Sequence, residues 1–179
     1  VIVCILQKGR GFLIQISEAL SQKDNMEDYS VIQVSRSLKN EYQVLNSTKK
    51  FREITEKEIL LKVHYSGINY KDILTLSGKN GVTRKFPIVP GIDFVGEVIA
   101  SRVASFPRGS KGLITATRLG LDSDGGFAEY AYTPEELLIP LPIEISDLNS
   151  MILGTAGLTA GHVIESILKK ISSAPSGLI

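Results

Sequence analysis

The sequence predicts a mainly β chain with helices, an α+β fold, built around a partly open β-barrel that leads into a helical segment. Two observations predict this class. Between residues 29 and 145, short apolar or alternating stretches recur between turns rich in Gly, Pro and Asn, a pattern typical of antiparallel strands. After residue 145 the pattern becomes helical. Several short strands followed by a helix favour a barrel with the beginning of a second domain attached.

Residues 1–28 are interpreted as a leader or linker of unknown role. Their apolar stretch, residues 1–22, is interrupted by Lys8 and Arg10, whereas a secretory signal places its basic residues ahead of the apolar segment. We therefore expect no signal peptide. Two alternatives stay open for the first 25 residues: an appended leader, or a short helix that caps the domain.

The strands of the barrel are predicted from alternation and from β-branched content. Asn69–Ser77 is predicted as one or two helical turns, and the Gly- and Pro-rich stretch 78–91 as a loop. Gly96, in the middle of a strand, indicates a bulge or a close backbone approach. The predicted strands are 31–37, 41–47, 58–68, 92–101, 112–116, 127–133 and 136–142.

The last predicted element is a helix over residues 146–170. Ser146 is a good N-cap, and Asp147 places a negative charge in the first turn. The segment pauses at 154–157, where two glycines occur, and ends with Lys169 and Lys170 at the position where cations favour a helix C-terminus.

Composition excludes several classes of protein. The chain has 179 residues, with 20 Lys and Arg against 19 Asp and Glu, so we expect no nucleic-acid partner. The single Cys4 excludes an intramolecular disulfide and favours a reducing, cytoplasmic location. No uninterrupted apolar run reaches the ~18 residues of a membrane-spanning helix, so we expect no membrane partner.

The residue types that usually carry chemistry are scattered. His64, His162 and Cys4 lie in different segments without metal-ligand spacing, so we predict no metal site. The Gly-rich stretches do not match the phosphate-binding loop or the dinucleotide-binding turn, and we interpret them as turns: 78–81, 109–112 and 154–157.

Four motifs in register carry the most information. They are G-I-N-Y-K-D-I-L (67–74), F-P-I-V-P-G-I-D-F-V-G-E-V (86–98), G-G-F-A-E-Y (125–130) and G-T-A-G-L-T-A (154–160). Together they resemble the zinc-free branch of the medium-chain dehydrogenase/reductase superfamily, in particular its acrylyl-CoA reductase and quinone oxidoreductase-like group. The resemblance covers residues 29–170 and implies a GroES-like substrate domain over 29–145.

The resemblance also implies that a catalytic zinc is absent. Zinc-dependent members of the superfamily have a cysteine ligand at the position of Asn69. They have Gly-His-Glu where this chain has Gly91, Ile92 and Asp93. Loss of both ligands agrees with the scattered histidines and the single cysteine.

Five residues are predicted site residues by resemblance. Asn69 and Asp72 would be catalytic, and Tyr70, Thr155 and Thr159 would bind the cofactor. Without a metal, hydrogen-bond donors must stabilise the charge on a substrate carbonyl. The side-chain amide of Asn69 or the phenol of Tyr70 can supply them. The aspartate would orient its neighbours or cap the short helix. Purely structural roles also stay open: Asp72 as a helix-terminal charge, Tyr70 as a core residue, and Thr155 and Thr159 as a helix-break motif.

The implied function is NADPH-dependent reduction of the C=C bond of acrylyl-CoA-like or quinone substrates. The partners would be an enoyl-CoA, enone or quinone, with a homodimer as one option. Residues 146–179 would be a helical crossover and the truncated start of a nucleotide-binding domain, because the 25 residues after Gly154 fall short of the ~30 of a β-α-β unit. We therefore expect the fragment to be inactive alone. The alternatives are a non-catalytic GroES-like binding module and the substrate half of a two-chain reductase.

Overall fold

The computed structural model describes residues 27–38, 41–78 and 82–172. Strands β1 (Asp28–Arg36) and β2 (Tyr42–Lys50) form an antiparallel hairpin. A second sheet has five strands in the order β6-β3-β4-β5-β7, which are β3 (Glu58–Gly67), β4 (Asp93–Ser101), β5 (Lys111–Ile114), β6 (Tyr130–Pro134) and β7 (Ile139–Pro140). Two α-helices complete the described part: α1 (Tyr70–Ser77) and α2 (Asp147–Ser172). The mainly β fold class is therefore confirmed.

Most of the predicted leader lies outside the described residues. Its last residue, Asp28, already belongs to β1. The hairpin attaches to the segments that lead into β6 and β4 through two isolated bridges, Val31 to Ala128 and Val34 to Ile88. Both valines are buried, so the bridges close one side of a shared core.

The centre of the larger sheet is a close approach between β3 and β4. A Cβ atom at Gly96 would lie 2.2 Å from the carbonyl oxygen of Lys62, and the strand register shifts on either side of this point. Only glycine fits there, as the sequence predicted. The core around it consists of fully buried residues from β3, β4 and β5: Ile59, Leu61, Phe94, Val98 and Ile114.

Two predicted strands are shorter than expected by two residues or more. The stretch 127–133 becomes a strand only at Tyr130, because Phe127 donates its backbone N–H to the carbonyl of Pro90 in a loop. The stretch 136–142 begins within a 3-10 turn over Glu135–Leu137 and keeps only the two residues of β7. Prolines at both ends of this region remove the N–H groups that a longer ladder needs.

Helix α2 begins as predicted, with Ser146 Oγ accepting from the backbone N–H of Asn149 at 3.2 Å. Its break is confined to Gly154, with φ 47° and ψ −158°. The rest of the predicted pause, residues 155–157, is helical, because only the first glycine takes a conformation that other residues avoid.

By length and composition, α2 is the one helix of the described residues that could cross a membrane. This test averages hydropathy and so tolerates the short polar interruptions of the helix, and the expectation of no membrane partner stays a prediction. Only Ser150 and Met151 of this helix are buried. Its exposed large apolar residues are Leu148, Ile152, Leu153, Leu158, Val163, Ile164, Ile167, Leu168 and Ile171.

Candidate active site

Four polar residues meet at one end of the five-stranded sheet. Strand β3 ends at Gly67, which pairs with Asp93, the first residue of β4. Asn69 and Tyr70 follow directly after β3, where the chain turns into α1. Thr155 reaches the same end from α2, because it hydrogen-bonds to Asp93. The topology thus brings together the predicted residues from the two separate motifs 67–74 and 154–160.

Asn69 is the N-cap of α1. Its Oδ1 accepts from the backbone N–H of Lys71 at 3.1 Å, and its own backbone N–H donates to Oδ2 of Asp72 at 2.8 Å, which together form a capping box. The side-chain amide nitrogen makes no hydrogen bond within the described residues, and the side chain is half-buried. The amide N–H groups of Asn69 are therefore held in place and available as donors.

Asp72 fastens α1 to the neighbouring loop. It is completely buried, and its Oδ1 accepts from the backbone N–H groups of Gly91 at 2.9 Å and Ile92 at 3.1 Å. Burial raises the pKa of this carboxyl, while the three backbone N–H donors, including that of Asn69, act in the opposite direction. The catalytic assignment of Asp72 stays a prediction, and the complete burial of its carboxylate disfavours direct contact with a substrate. Its geometry supports the orienting role.

Asp93 is the centre of a second buried network. Its Oδ1 accepts from the hydroxyls of Thr155 at 2.5 Å and Thr115 at 2.8 Å, and its Oδ2 from the backbone N–H of Thr155 at 3.3 Å. The backbone N–H of Ala116 donates to the Thr155 hydroxyl at 2.9 Å. Sequence reasoning missed Asp93 and Thr115. The available signal was an acidic residue entering an apolar strand, which requires buried partners.

The three residues predicted to bind cofactor differ in their surroundings. The Thr155 hydroxyl donates to Asp93 and accepts from the backbone N–H of Ala116, which favours a positioning role at the Gly154 break, and cofactor binding by Thr155 stays a prediction. Thr159 is exposed and donates to the carbonyl of Thr155 at 2.8 Å. Tyr70 is 69% exposed, so it is not a core residue. Cofactor binding by Tyr70 and Thr159 stays a prediction.

The donors exposed at this end of the sheet fit only one part of a dinucleotide. The amide of Asn69 and the phenol of Tyr70 can meet the oxygen of a carboxamide or a carbonyl. A pyrophosphate is usually held by a Gly-rich turn at the start of a helix. The part of the chain that the structure describes has no such turn between a strand and a helix.

Two basic side chains that contact Asp147 anchor the start of α2. Asp147 Oδ2 lies 2.7 Å from His64 Nδ1 on β3, and Asp147 Oδ1 lies 2.9 Å from Lys111 Nζ on β5. Burial alone would raise the pKa of Asp147, but hydrogen bonds from these two partners outweigh it and lower the pKa below its usual range. His64 thus has a specific partner. Over the described ranges, no group of three or more His, Cys, Asp or Glu could hold a metal ion, and the prediction of no metal site stays a prediction.

Comparison with known proteins assigns this part of the chain to a family. Residues 55–143 match the family model described as the alcohol dehydrogenase GroES-like domain. The provisionally named quinone oxidoreductase YhfP of Bacillus subtilis is 38% identical over 121 residues, which cover 68% of this chain and 37% of YhfP. The acrylyl-CoA reductase AcuI of Ruegeria pomeroyi is 40% identical over 103 residues, which cover 58% of this chain and 31% of AcuI.

Solved structures agree with this similarity. The crystal structure of YhfP with NAD bound superposes with a TM-score of 0.73 at 33% identity, covering 83% of this chain and 45% of that one. The YhdH oxidoreductase of Salmonella enterica in complex with NADP gives a TM-score of 0.69 at 34% identity, covering 78% of this chain and 43% of that one. The chain spans about a third of the length of the curated relatives it matches.

Proposed function

We propose, from the premise that this chain carries the GroES-like domain of the medium-chain dehydrogenase/reductase superfamily, that it forms the substrate side of a zinc-independent, NADPH-linked reductase. The substrate would be an activated alkene or a quinone, as in an acrylyl-CoA-like thioester. The observation that carries the proposal is the available amide of Asn69. It lies next to the Asp93–Thr155 network, at the end of the sheet where both motifs converge.

Asn69 would act on the carbonyl oxygen of the substrate. When an electron pair is delivered to the β-carbon of an enone or enoyl thioester, negative charge develops on this oxygen. A donor that is already oriented stabilises this charge without having to reorganise. The capping box supplies the orientation, because Oδ1 is held by the N–H of Lys71 and the backbone by Asp72.

The nicotinamide, when bound, would supply the hydride. The residues of this chain would set the geometry around it: Asp72 fixes Asn69 relative to the loop at Gly91, and Asp93 fixes the break in α2 through Thr155. Tyr70, exposed beside Asn69, would cover one side of the reacting groups. These positioning contacts are all internal, so they would exist before any ligand binds.

A chimera tests the proposed function. Residues 27–172 would replace the matching segment of Bacillus subtilis YhfP, whose crystal structure holds NAD. Oxidation of NADH and NADPH would be followed by absorbance, with acrylyl-CoA or benzoquinone as the acceptor. We expect turnover with at least one acceptor. A chimera that is folded and binds the dinucleotide, yet reduces neither acceptor, would contradict the proposal.

A variant of the same chimera tests the role of Asn69. Asn69→Ser keeps an N-cap oxygen but removes the amide donors. We expect kcat to fall by about 100-fold, while the denaturation midpoint stays close to that of the parent. Lys71→Gln, on the exposed side of the same helical turn, is the matched control and should leave kcat within about twofold. An unchanged kcat in Asn69→Ser would show that the amide does not contribute to the reaction.

A further inference from the structure

Three basic side chains on two loops surround one carboxylate, that of Asp122. Nη2 of Arg118 donates to Oδ1 of Asp122 at 2.7 Å, and its Nε donates to the other carboxylate oxygen. The hydrogen bond from Arg118 is the main reason why the pKa of this carboxyl is lowered, and the charges of Arg84 and Lys85 contribute. We call Arg84, Lys85 and Arg118, together with Asp122, the cation cluster.

The cation cluster carries more positive than negative charge. Three basic residues stand against one carboxylate. Arg84 and Lys85 are exposed, and neither makes an ion pair within the described residues. The neighbouring Asp124 is already paired with Lys49. Two positive charges, those of Arg84 and Lys85, are therefore available to a ligand with negative charge.

The loop that carries this basic pair is fixed to the elements on either side of it. The hydroxyl of Thr83 lies 2.7 Å from the hydroxyl of Thr75 on α1. The ring of Phe86 packs edge to face against Tyr42 at the start of β2, with centroids 5.2 Å apart. Residues directly before and directly after the basic pair are thus held by contacts within the fold. The backbone that presents the two charges is in place before any ligand binds.

The two loops of the cation cluster are also joined to each other. The backbone N–H of Val89 donates to Oδ1 of Asp124 at 3.0 Å. The backbone N–H of Gly125 donates in return to the carbonyl of Val89 at 2.7 Å. Because Asp124 follows Asp122 by only two residues, this junction holds the central carboxylate beside the loop of the basic pair.

Both loops lead directly to the candidate active site. Beyond the basic pair, the first loop reaches Gly91, whose backbone N–H donates to Asp72 at 2.9 Å. In the second loop, Ala116 donates its backbone N–H to the hydroxyl of Thr155 at 2.9 Å. Two residues of extended chain span at most about 7 Å, which limits the distance between the Cα atoms of Ala116 and Arg118. The cation cluster therefore borders the candidate active site.

We propose that the cation cluster binds the phosphate groups on the tail of an acyl-coenzyme A acceptor, an inference that rests on the reductase function proposed above. Asn69 meets the thioester carbonyl, while Arg84 and Lys85 bind phosphate oxygens at the border of the site. A phosphate monoester carries close to two negative charges near neutral pH, which the two available cations match. The guanidinium fork also suits phosphate oxygens. A quinone has no charged tail, so the cluster favours the phosphate-bearing class of acceptor.

Coenzyme A is the probe for binding, and pantetheine, which lacks the phosphate groups, is its uncharged counterpart. Chemical-shift titration of the 15N-labelled full chain would give both Kd values at low and at high ionic strength. The test variant is Arg84→Gln/Lys85→Gln. Its matched control is Arg102→Gln/Arg108→Gln, which removes two charges from exposed residues beyond the far end of β4. Thermal denaturation would show that each variant is folded.

We expect coenzyme A to bind at least about tenfold more tightly than pantetheine. Its affinity should fall as the ionic strength rises, because salt screens exposed charges. Arg84→Gln/Lys85→Gln should weaken coenzyme A by about tenfold, and the control by less than about twofold. Asp122→Asn should strengthen it by about threefold, because a negative charge is removed and Arg118 is released. Equal Kd values for coenzyme A and pantetheine, or equal losses in the two double variants, would overturn the proposal.

Kinetics of the YhfP chimera separate this inference from the proposed function. Acrylyl-CoA and acrylyl-pantetheine present the same reacting group with and without phosphates. Arg84→Gln/Lys85→Gln should raise KM for acrylyl-CoA by about tenfold, with kcat and both constants for acrylyl-pantetheine unchanged. A rise in KM for NADPH instead would assign the cluster to the dinucleotide and overturn the inference.

Two further outcomes distinguish the two proposals. Reduction of benzoquinone but of neither thioester would leave the proposed function standing and overturn this inference. If the folded chimera reduces no acceptor, the proposed function fails, and the Kd values of the full chain for coenzyme A and pantetheine still decide whether the cation cluster binds phosphate.

Discussion

The hydroxyl of Thr155 lies 2.5 Å from Oδ1 of Asp93, which ties the broken point of helix α2 to the first residue of strand β4. The same carboxylate binds Thr115 just beyond β5. Gly154, directly before Thr155, takes a positive φ that lets the chain approach this carboxylate. Three segments that are distant in sequence therefore share one buried acceptor, and the candidate active site depends on it.

Asp93→Asn should weaken this junction. The amide oxygen can still accept from the two threonine hydroxyls, but its NH₂ group would then face the backbone N–H of Thr155. We expect the free energy of unfolding to fall by about 1–3 kcal/mol. Urea denaturation followed by circular dichroism measures this, with Glu56→Gln in an exposed loop as the control. Equal midpoints for both variants would show that the network contributes nothing to stability.

Gly154→Ala and Gly161→Ala should have opposite effects although both lie in α2. Gly154 has φ 47°, where a side chain adds about 1–3 kcal/mol of strain. A Cβ atom at Gly161 would meet nothing within 4 Å, and alanine there is a better helix former by about 1 kcal/mol. The two melting temperatures, compared with that of the parent, test the prediction. Stabilisation by Gly154→Ala would mean that the break is not required.

Lowering the pH should weaken the contacts that Asp147 makes at the start of α2. The folded-state pKa of Asp147 is lowered, so its contribution to stability is present above the unfolded-state pKa of about 3.9. That contribution is lost as the pH falls through the lower folded-state pKa. Asp147→Asn should therefore cost up to about 1 kcal/mol near neutral pH and less at about pH 3, where the contribution is already being lost. Urea titrations at both values measure it.

The control for this pH dependence is Glu165→Gln, which removes an exposed ion pair with Lys169. It should change stability by no more than about 0.5 kcal/mol near neutral pH. A deficit in Asp147→Asn that is the same at both pH values would contradict the linkage.

The apolar surface of α2 should promote self-association. Ile164 and Leu168 are 58% and 57% exposed, one turn apart on the helix, and contiguous apolar surface of this kind usually marks a contact. We expect sedimentation velocity to show concentration-dependent association that Ile164→Lys/Leu168→Lys abolishes. Val44→Lys, at an exposed apolar position on β2, should not change it. A parent chain that stays monomeric at high concentration would contradict the expectation.

Much of the fold could be predicted because it depends on local patterns. Gly96 indicated the close approach of β3 and β4, Ser146 the start of α2, and Asn69 the start of α1. Each follows from the conformational preference or hydrogen-bonding chemistry of a single residue type. Asp93 was not predicted as a site residue, because its importance depends on partners from two other segments, Thr115 and Thr155.

The sequence by itself determined the order of strands and helices, the positions of the helix ends and the motifs that identify the family. Those features depend on local periodicity and on residues close together along the chain. Only the tertiary structure decided which polar groups are available. It buried Asp72 and engaged the hydroxyl of Thr155 with Asp93 and Ala116, while within the described ranges it left the side-chain NH₂ of Asn69 without a protein partner. The physical reason is that hydrogen-bond satisfaction depends on which distant backbone and side-chain groups fold together.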